Sequence, residues 1–400
     1  NMGSLTLANI SKHLSNDFID KLFKFKTNSE DNVKTIEITA AAPPGEGMIS
    51  AVYRIKCIGA TNTVNFISIR CEGLFKRETL FFSSILPILT EIQQSLGAKQ
   101  KIQDYVPVCY GCHVDGKDDY ILMEDVAVKQ FTSISKHPTV RERDLTLKAL
   151  AHLHSVSFAL RIKKPAVFTK ITNELTEVYY NNYNRNWFAN YLQSALTIDE
   201  NVLKELEGIN SIYYKKFQQA VNDDIYSQII KLLTIKGDHP VVNHGDAWCP
   251  NFLCSQEKAI AIDFQLLRCG SPALDLSYFI IMCSNLCHNK EDFIEAVEVY
   301  YKALDFFLQD MGINANATFS LDSLKEELNK YGRFGLFAAL SSLPLLASER
   351  CDVLQSFEVR FPGCNEIPLE KIWKLTPIKS DEDKMQIVNA VRVAVDVGLL

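Results

Sequence analysis

Long apolar runs are scarce in this sequence. The longest, "GLFAALSSLPLLA" (335–347), is too short to span a bilayer and carries Pro344, so membrane insertion is not expected. No block of like charges stands out, and the net charge of −6 argues against a general attraction to nucleic acid or to an acidic membrane surface. Internal repeats, low-complexity tracts and a secretory signal are also missing. Without such a signal, the 11 cysteines do not read as a disulfide framework. Their count is odd and they sit among apolar neighbours, as in "AVYRIKCI" and "YFIIMC", the pattern of buried free thiols in a reducing compartment. A cytoplasmic protein is expected, and nothing indicates a protein partner. The pair in "CYGC" (109–112) has redox or zinc spacing but lacks a matching second pair, although Cys283, Cys287 and His288 lie far downstream. It is a metal site or simply two strand cysteines.

What is present is a folded chain. Hydrophobic residues make up 47% and charged residues 22%, and 400 residues suffice for two lobes around a cleft. After an amphipathic stretch, "SKHLSNDFIDKLFKF", three segments alternate and are rich in β-branched residues: "KTIEITA", "SAVYRIKCI" and "NTVNFISIR". A turn-rich connection with Gly45 and Gly47 separates the first two. Next comes a helical stretch, "FKRETLFFSSIL", which Pro87 stops or kinks. Two more strands, "YVPVCYGC" and "DDYILMED", complete a five-stranded set. Beyond Asp125 helical spacing dominates, first in "TVRERDLTLKALAHLHSVSFAL", with Leu145, Leu150, Leu153, Val156 and Leu160 on or near one face. It is interrupted once, at 236–271, by short strands and turns. The expectation is an α+β chain with a strand-rich lobe over 1–125 and a helical lobe over 126–400.

The interruption holds "HGDAWCPNFL" (244–253) and "AIAIDFQ" (259–265). Phosphoryl transfer from ATP needs a group to orient and deprotonate the acceptor, ligands for Mg²⁺, and a grip on the phosphates. In kinases the base and an Asn ligand share an Asp-x-x-x-x-Asn loop, and a second metal Asp follows a short hairpin. Asp246 and Asn251 stand in that relation, and Asp263 lies beyond two short apolar segments. Oxygen ligands on short loops suit Mg²⁺. Loop capping alone accounts for many Asp and Asn pairs at this spacing; "HGD" before, "IDF" after and the strand-rich lobe upstream argue for chemistry.

"HGDAWCPN" with "IDFQ" resembles the signature of aminoglycoside and choline kinases. The fuller "NHGDAWCPNFL…AIDFQLLRCGSPALDLSYFI" is most similar to the ecdysteroid kinase-like family, prominent in insects. "GEGMISAVYRIK", "ETLFFSSILP", "YILMEDV" and "LAHLHSVSFAL" resemble, in order, that family's nucleotide loop, lobe-bridging helix, hinge and first large-lobe helix. The resemblance implies a two-lobed, protein-kinase-like fold and an ATP- and Mg²⁺-dependent kinase acting on a hydroxyl of an ecdysteroid or related alcohol. Choline kinases follow the metal Asp with a Tyr-Asn-x-Arg-type pattern, whereas "LLRCGSPALDL" has neither the Tyr nor the Asn.

By the same resemblance Asp246 is the catalytic base, and Asn251 and Asp263 hold Mg²⁺. His244 shapes the loop. Asp275 bonds the loop from the next helix, or is a plain helical Asp. Gly45, Gly47 and Ser50 cover the phosphates, and the backbone of Glu124 and Val126 meets the adenine. The family's phosphate-gripping Lys, paired with a helix Glu, would correspond to Arg70 with Glu78. Arg keeps the charge but is longer and planar, so it supports catalysis or marks a weakened member. Acceptor linings are sought in 179–192 and 331–346, which could equally be helix core faces. The alternatives are a detoxifying kinase for foreign alcohols and a non-catalytic binding protein on a kinase scaffold. ATP consumption separates the latter from the enzyme.

Overall fold

The computed structural model describes residues 5–40, 51–70, 76–116, 118–348 and 368–400. It is an α+β chain that divides into two compact units. One takes the described residues up to Ser83 together with Pro107–Phe131. The other takes Ser84–Val106 and the described residues from Thr132 onward.

The first unit opens with two helices, α1 (Leu7–Ile10) and α2 (Asn16–Thr27). The helix expected from Ser11 starts later, because the Ser15 side chain accepts the Phe18 N–H and caps it there. Strands β1 (Thr35–Ala40), β2 (Ala51–Ile58), β3 (Thr63–Arg70), β4 (Cys109–His113) and β5 (Tyr120–Glu124) form one antiparallel sheet in the order β1-β2-β3-β5-β4. Alternation sends Phe66, Ile55, Tyr120 and Leu122 to the face covered by α1 and α2, where Leu7, Ile10, Ile19 and Phe23 are buried with them. Ile121 and Met123 face the other way, with Ile69, Phe82, Cys109 and Cys112.

The helix after β3 does not stop at Pro87. α3 (Lys76–Leu80) runs into a π-turn at Phe81–Ile85, and α4 (Leu86–Ser95) follows with Pro87 in its first turn. Proline lacks an N–H and crowds the preceding turn, and a wider turn relieves both problems.

The second unit adds a short strand that the sequence did not signal, β6 (Thr132–Ser133), and then α5 (Val140–Lys163). A Thr139–Glu142 capping box starts α5. It is not amphipathic in the expected way: residues 149–160 are buried all round and Leu145 is only half-buried. The polar residues among them are engaged, with Gln93 at 2.7 Å from His152 and Ser157 accepting the Val242 N–H at 2.8 Å. The unit's further helices are α6 (Pro165–Asn173), α7 (Arg185–Leu206), α8 (Ile212–Asn222), α9 (Ile225–Thr234), α10 (Ala273–Met282), α11 (Lys290–Asp310), α12 (Ala315–Thr318), α13 (Leu321–Tyr331) and α14 (Arg333–Ala347), of which α6, α10 and α11 pack against α5. Between α9 and α10, β7 (Val241–Asn243) pairs with β10 (Arg268–Gly270), and β8 (Phe252–Cys254) pairs with β9 (Ala259–Ala261) and with β6. Among the described residues no helix is long and apolar enough to cross a membrane.

Candidate active site

β7 is fully buried and delivers the chain into the 244–251 loop. Gly245 has φ +90°, and a Cβ there would stand 1.7 Å from the Leu266 carbonyl oxygen, so no other residue fits. His244 is a strut. Its Nε2 lies 2.9 Å from the Ile262 carbonyl, and its Nδ1 accepts the Asp246 N–H at 3.3 Å. Together these bonds require the proton on Nε2. Burial pushes its pKa down, favouring the neutral ring.

Asp275, in the first turn of α10, accepts the N–H groups of His244 (2.7 Å) and Gly245 (3.0 Å) and meets His154 Nε2 at 2.9 Å. His154 Nδ1 in turn lies 2.7 Å from the Tyr300 hydroxyl. Burial works against this carboxylate, yet the bond from His154 and the bond from the Gly245 N–H hold it below the usual range. His154 and Tyr300 had no signal in the sequence beyond being polar residues in apolar helices.

Asn251 Nδ2 donates to the Asp246 backbone oxygen and to its Oδ2, each at 2.9 Å. The β8–β9 hairpin returns the chain so that the Ile262 N–H donates to the Asn251 carbonyl at 3.0 Å. Asp263 follows with φ +63°, a conformation Asp tolerates better than most side chains. The three predicted chemical residues are thus brought together. Asp246 and Asp263 keep partial exposure while lying deep in the fold. Burial first, and the charge of Asp263 second, push Asp246 up to about 7, against the Asn251 bond that lowers it. Burial pushes Asp263 up to about 6, opposed by the Gln265 N–H.

Among the described residues no Lys or Arg forms an ion pair with either carboxylate. Two deep carboxylates with this charge deficit, and an Asn oxygen left over once its NH₂ is used, are a donor set that fits a hard divalent cation. A pH effect follows. A carboxyl whose folded pKa is raised contributes stability below its unfolded pKa and loses it as pH rises through the folded value, here between about 4 and about 7. Without divalent metal, Asp246→Asn should therefore unfold at a higher temperature than wild type at pH 8, with the difference gone near pH 4. Equal unfolding temperatures at pH 8 would disprove the strained carboxylate.

The sequence offered Arg268 and Glu177 no role, but both serve this loop. Buried Arg268 donates from Nη1 to the Gly245 carbonyl at 2.9 Å and forks onto Glu177 at 2.8 and 3.3 Å. The pair fixes the loop from the side opposite Asp275's two N–H bonds, by its carbonyl.

The two expected lining segments converge. Tyr180 stacks edge-on with Phe334 at 6.0 Å, and the Tyr191 hydroxyl donates to the Ser341 carbonyl at 2.7 Å. The hydroxyls of Tyr179, Tyr180 and Tyr278 are pushed up chiefly by burial, with the Asp246 charge contributing to each. These three rings therefore gather near Asp246. The Trp187 indole Nε1 is buried without a hydrogen-bond partner, and its ring lies 5.8 Å from Tyr179.

In the sheet unit, Gly45, Gly47 and Ser50 lie outside the described residues. The Glu124 N–H donates to the Val108 carbonyl at 2.9 Å, and Val126 begins a short 3₁₀ turn capped by Asp125. For Arg70 and Glu78, the expected pair, the structure shows the following neighbours. Arg70 shares the α1 and α2 face with Phe66, and its Nη1 donates to the Asn9 carbonyl at 2.7 Å. The Cys109 thiol is pushed up by its bond to Cys112, by burial, and by the Glu78 charge. That places Glu78 beside Cys109, on the opposite face with Ile69.

The family model for ecdysteroid kinase-like proteins matches residues 37–313, more than half of the chain and the whole of the 244–263 segment with its supports Asp275, Arg268 and Glu177. The chain belongs to the ecdysteroid kinase-like family. It is therefore a member of a family of small-molecule kinases, and membership supports phosphotransferase activity on small molecules. No curated protein matches this ecdysteroid kinase-like chain in sequence. Similar solved structures include a choline kinase from Cryptosporidium parvum (10% identity, covering 96% of this chain and 98% of that one, TM-score 0.49). A Plasmodium vivax ethanolamine kinase is also similar (11%, 90% and 83%, TM-score 0.43). So is an amicoumacin kinase in complex with AMP-PNP, Ca²⁺ and its ligand (14%, 91% and 97%, TM-score 0.36).

Proposed function

We propose that this kinase transfers the γ-phosphoryl group of ATP, with Mg²⁺, to a hydroxyl of an ecdysteroid or a closely related alcohol. The observation that carries the reading is Asp246, a carboxylate pushed up to about 7 and aimed by Asn251 beside a second deep carboxylate. A base works best when its pKa lies near the working pH. Asp246 takes the acceptor's proton as the hydroxyl oxygen bonds to the γ-phosphorus, and the bond from that phosphorus to the bridging oxygen breaks, leaving ADP. Asn251 and Asp263 would hold the Mg²⁺, which when bound neutralises charge on the phosphates. His244 and Asp275 hold the loop in shape. Gly45, Gly47 and Ser50 are assigned to the phosphates, and the Glu124 and Val126 backbone to the adenine.

The wall beside the base supports this choice of acceptor. Tyr179, Tyr180 and Tyr278 are rigid aromatic groups with few charges around them; the Tyr278 hydroxyl meets Ser342 Oγ at 2.9 Å, while the unpartnered Trp187 N–H can offer a hydrogen bond. That combination suits a polyhydroxylated apolar skeleton. Glu177, just ahead of this wall, is committed to Arg268, so it does not serve an ammonium group. The test is mass spectrometry of ecdysteroids, choline, ethanolamine and foreign alcohols incubated with protein, ATP and Mg²⁺. A phosphate gained by ecdysteroids is the expected result. Phosphate gained only by another class would overturn the acceptor. ATP binding without consumption, on any acceptor, would favour a non-catalytic binding protein, the reading to which an Arg at position 70 in place of the family's Lys points.

A further inference from the structure

β4 contains an extra residue opposite β5. Cys109 pairs with Met123, Gly111 with Leu122, Cys112 with Ile121 and His113 with Tyr120, the register shifting between Cys109 and Gly111. Strict alternation would put His113 on the face of Cys109. The bulge re-aims it to the opposite face, the one shared by Tyr120, α1 and α2. There it meets His13, from the loop between α1 and α2, with the two imidazole rings 3.7 Å apart and 30° from parallel. Asp115, two residues past His113, completes the group. Its Oδ2 lies 2.9 Å from His13 Nε2 and 3.2 Å from His113 Nε2.

We propose that His13, His113 and Asp115 form a second metal site, independent of the catalytic loop, for a borderline transition-metal dication such as Zn²⁺. Two imidazoles and one carboxylate are a donor set for such ions rather than for Mg²⁺. In a tetrahedral site with bonds of roughly 2.0–2.1 Å, neighbouring donor atoms lie about 3.3 Å apart. The two measured edges come close to that, and one donor atom from each residue falls within 4.8 Å of the others. The His113 Nε2 atom is buried and makes no hydrogen bond, for all its nearness to Asp115.

The group is held for this geometry by bonds that do not use the donor atoms. Asp115 Oδ1 accepts the Asp118 N–H at 3.1 Å, turning Oδ2 toward the histidines, and the Asp115 N–H donates to buried Asp119 at 2.6 Å. The His13 N–H donates to Ser11 Oγ at 3.1 Å, and that hydroxyl donates to the Asp118 carbonyl at 2.6 Å. Lys12, the nearest cation in sequence, is paired with Asp118 at 2.9 Å. The three side chains remain about a third exposed, at 32%, 37% and 34%, so an ion can enter and water can take the remaining position. The consequence is a clip joining residues 100 positions apart in sequence.

The test is titration of the full-length, chelator-treated protein with Zn²⁺ against a chromophoric chelator, with Co²⁺ as a spectroscopic probe. Wild type should bind one equivalent at micromolar concentrations or tighter, and Zn²⁺ should raise its unfolding temperature. Asp263→Asn and the double variant Cys109→Ser with Cys112→Ser should bind as wild type does. His13→Asn with His113→Asn should lose at least about 100-fold in affinity, with unfolding in chelator unchanged. Asp115→Asn, at an exposed carboxylate, should weaken binding and serves if the double histidine variant folds poorly. The proposal is overturned if wild type takes up no Zn²⁺, if the histidine and Asp115 variants bind it undiminished, or if the Co²⁺ spectrum carries the charge-transfer band of sulfur ligation.

Discussion

Asp246→Asn is expected to lower phosphoryl transfer by about 100- to 10,000-fold, the usual range for losing a general base, while leaving nucleotide affinity nearly unchanged. Asn has the same shape and can still accept the Asn251 Nδ2 bond now made to Oδ2 at 2.9 Å. What it cannot do is take a proton. The struts of the loop do not involve this carboxyl: Gly245 is held by Asp275 and Arg268, and His244 by Asp275 and the Ile262 carbonyl. The fold should therefore survive, and circular dichroism with nucleotide titration checks that. A variant turning over within about fivefold of wild type would remove Asp246 from the base role.

Asp263→Ala is expected to weaken Mg²⁺-dependent ATP binding by about 10- to 150-fold, the scale of one charge-assisted contact of roughly 1.5–3 kcal/mol, and to depress turnover with it. Binding measured without divalent metal should change far less, since the lost group is assigned to the metal and not to the nucleotide. A second readout is independent of affinity. The Asp263 charge is one of the causes raising Asp246, so the residual activity of Asp263→Ala should reach its acid limb at a lower pH than wild type. Unchanged ATP affinity in excess Mg²⁺, with activity retained, would show the metal assignment to be wrong.

The local and periodic features of this protein were legible from its sequence. All five strands of the large sheet were anticipated, because alternation and β-branching are properties of a few neighbouring residues. The Asp246, Asn251 and Asp263 spacing was equally visible, since one loop and one short hairpin carry all three. Segments 179–192 and 331–346 do meet in the fold, through Tyr180 with Phe334 and Tyr191 with Ser341, a contact their spacing in the sequence did not show.

What the sequence left open are contacts that depend on parity and on distance along the chain. Arg70 stands at the end of a correctly assigned strand, yet pleat parity sends it to the Asn9 carbonyl. A side chain one position off lands on the other side of a sheet. The same sensitivity makes His113 a neighbour of His13, because one bulge in β4 reverses which residues face α1 and α2. α5 looked amphipathic, but α4, α6, α10 and α11 pack against it together with the short strands β7, β8 and β9. His154 in its interior became the link between Tyr300 and the Asp275 carboxylate. The sequence by itself determined the five strands of the sheet, the family and the spacing that sets Asp246, Asn251 and Asp263 on one loop and one hairpin, because those are written in short-range pattern. Tertiary structure alone decided the upward shift of the Asp246 carboxyl, the bracing of its loop by Arg268 and Asp275, the contact of Arg70 with the Asn9 carbonyl and the meeting of His13 with His113. Each of those rests on groups brought together, or kept apart, only when the chain packs, where burial and close charge outweigh any preference a residue has on its own.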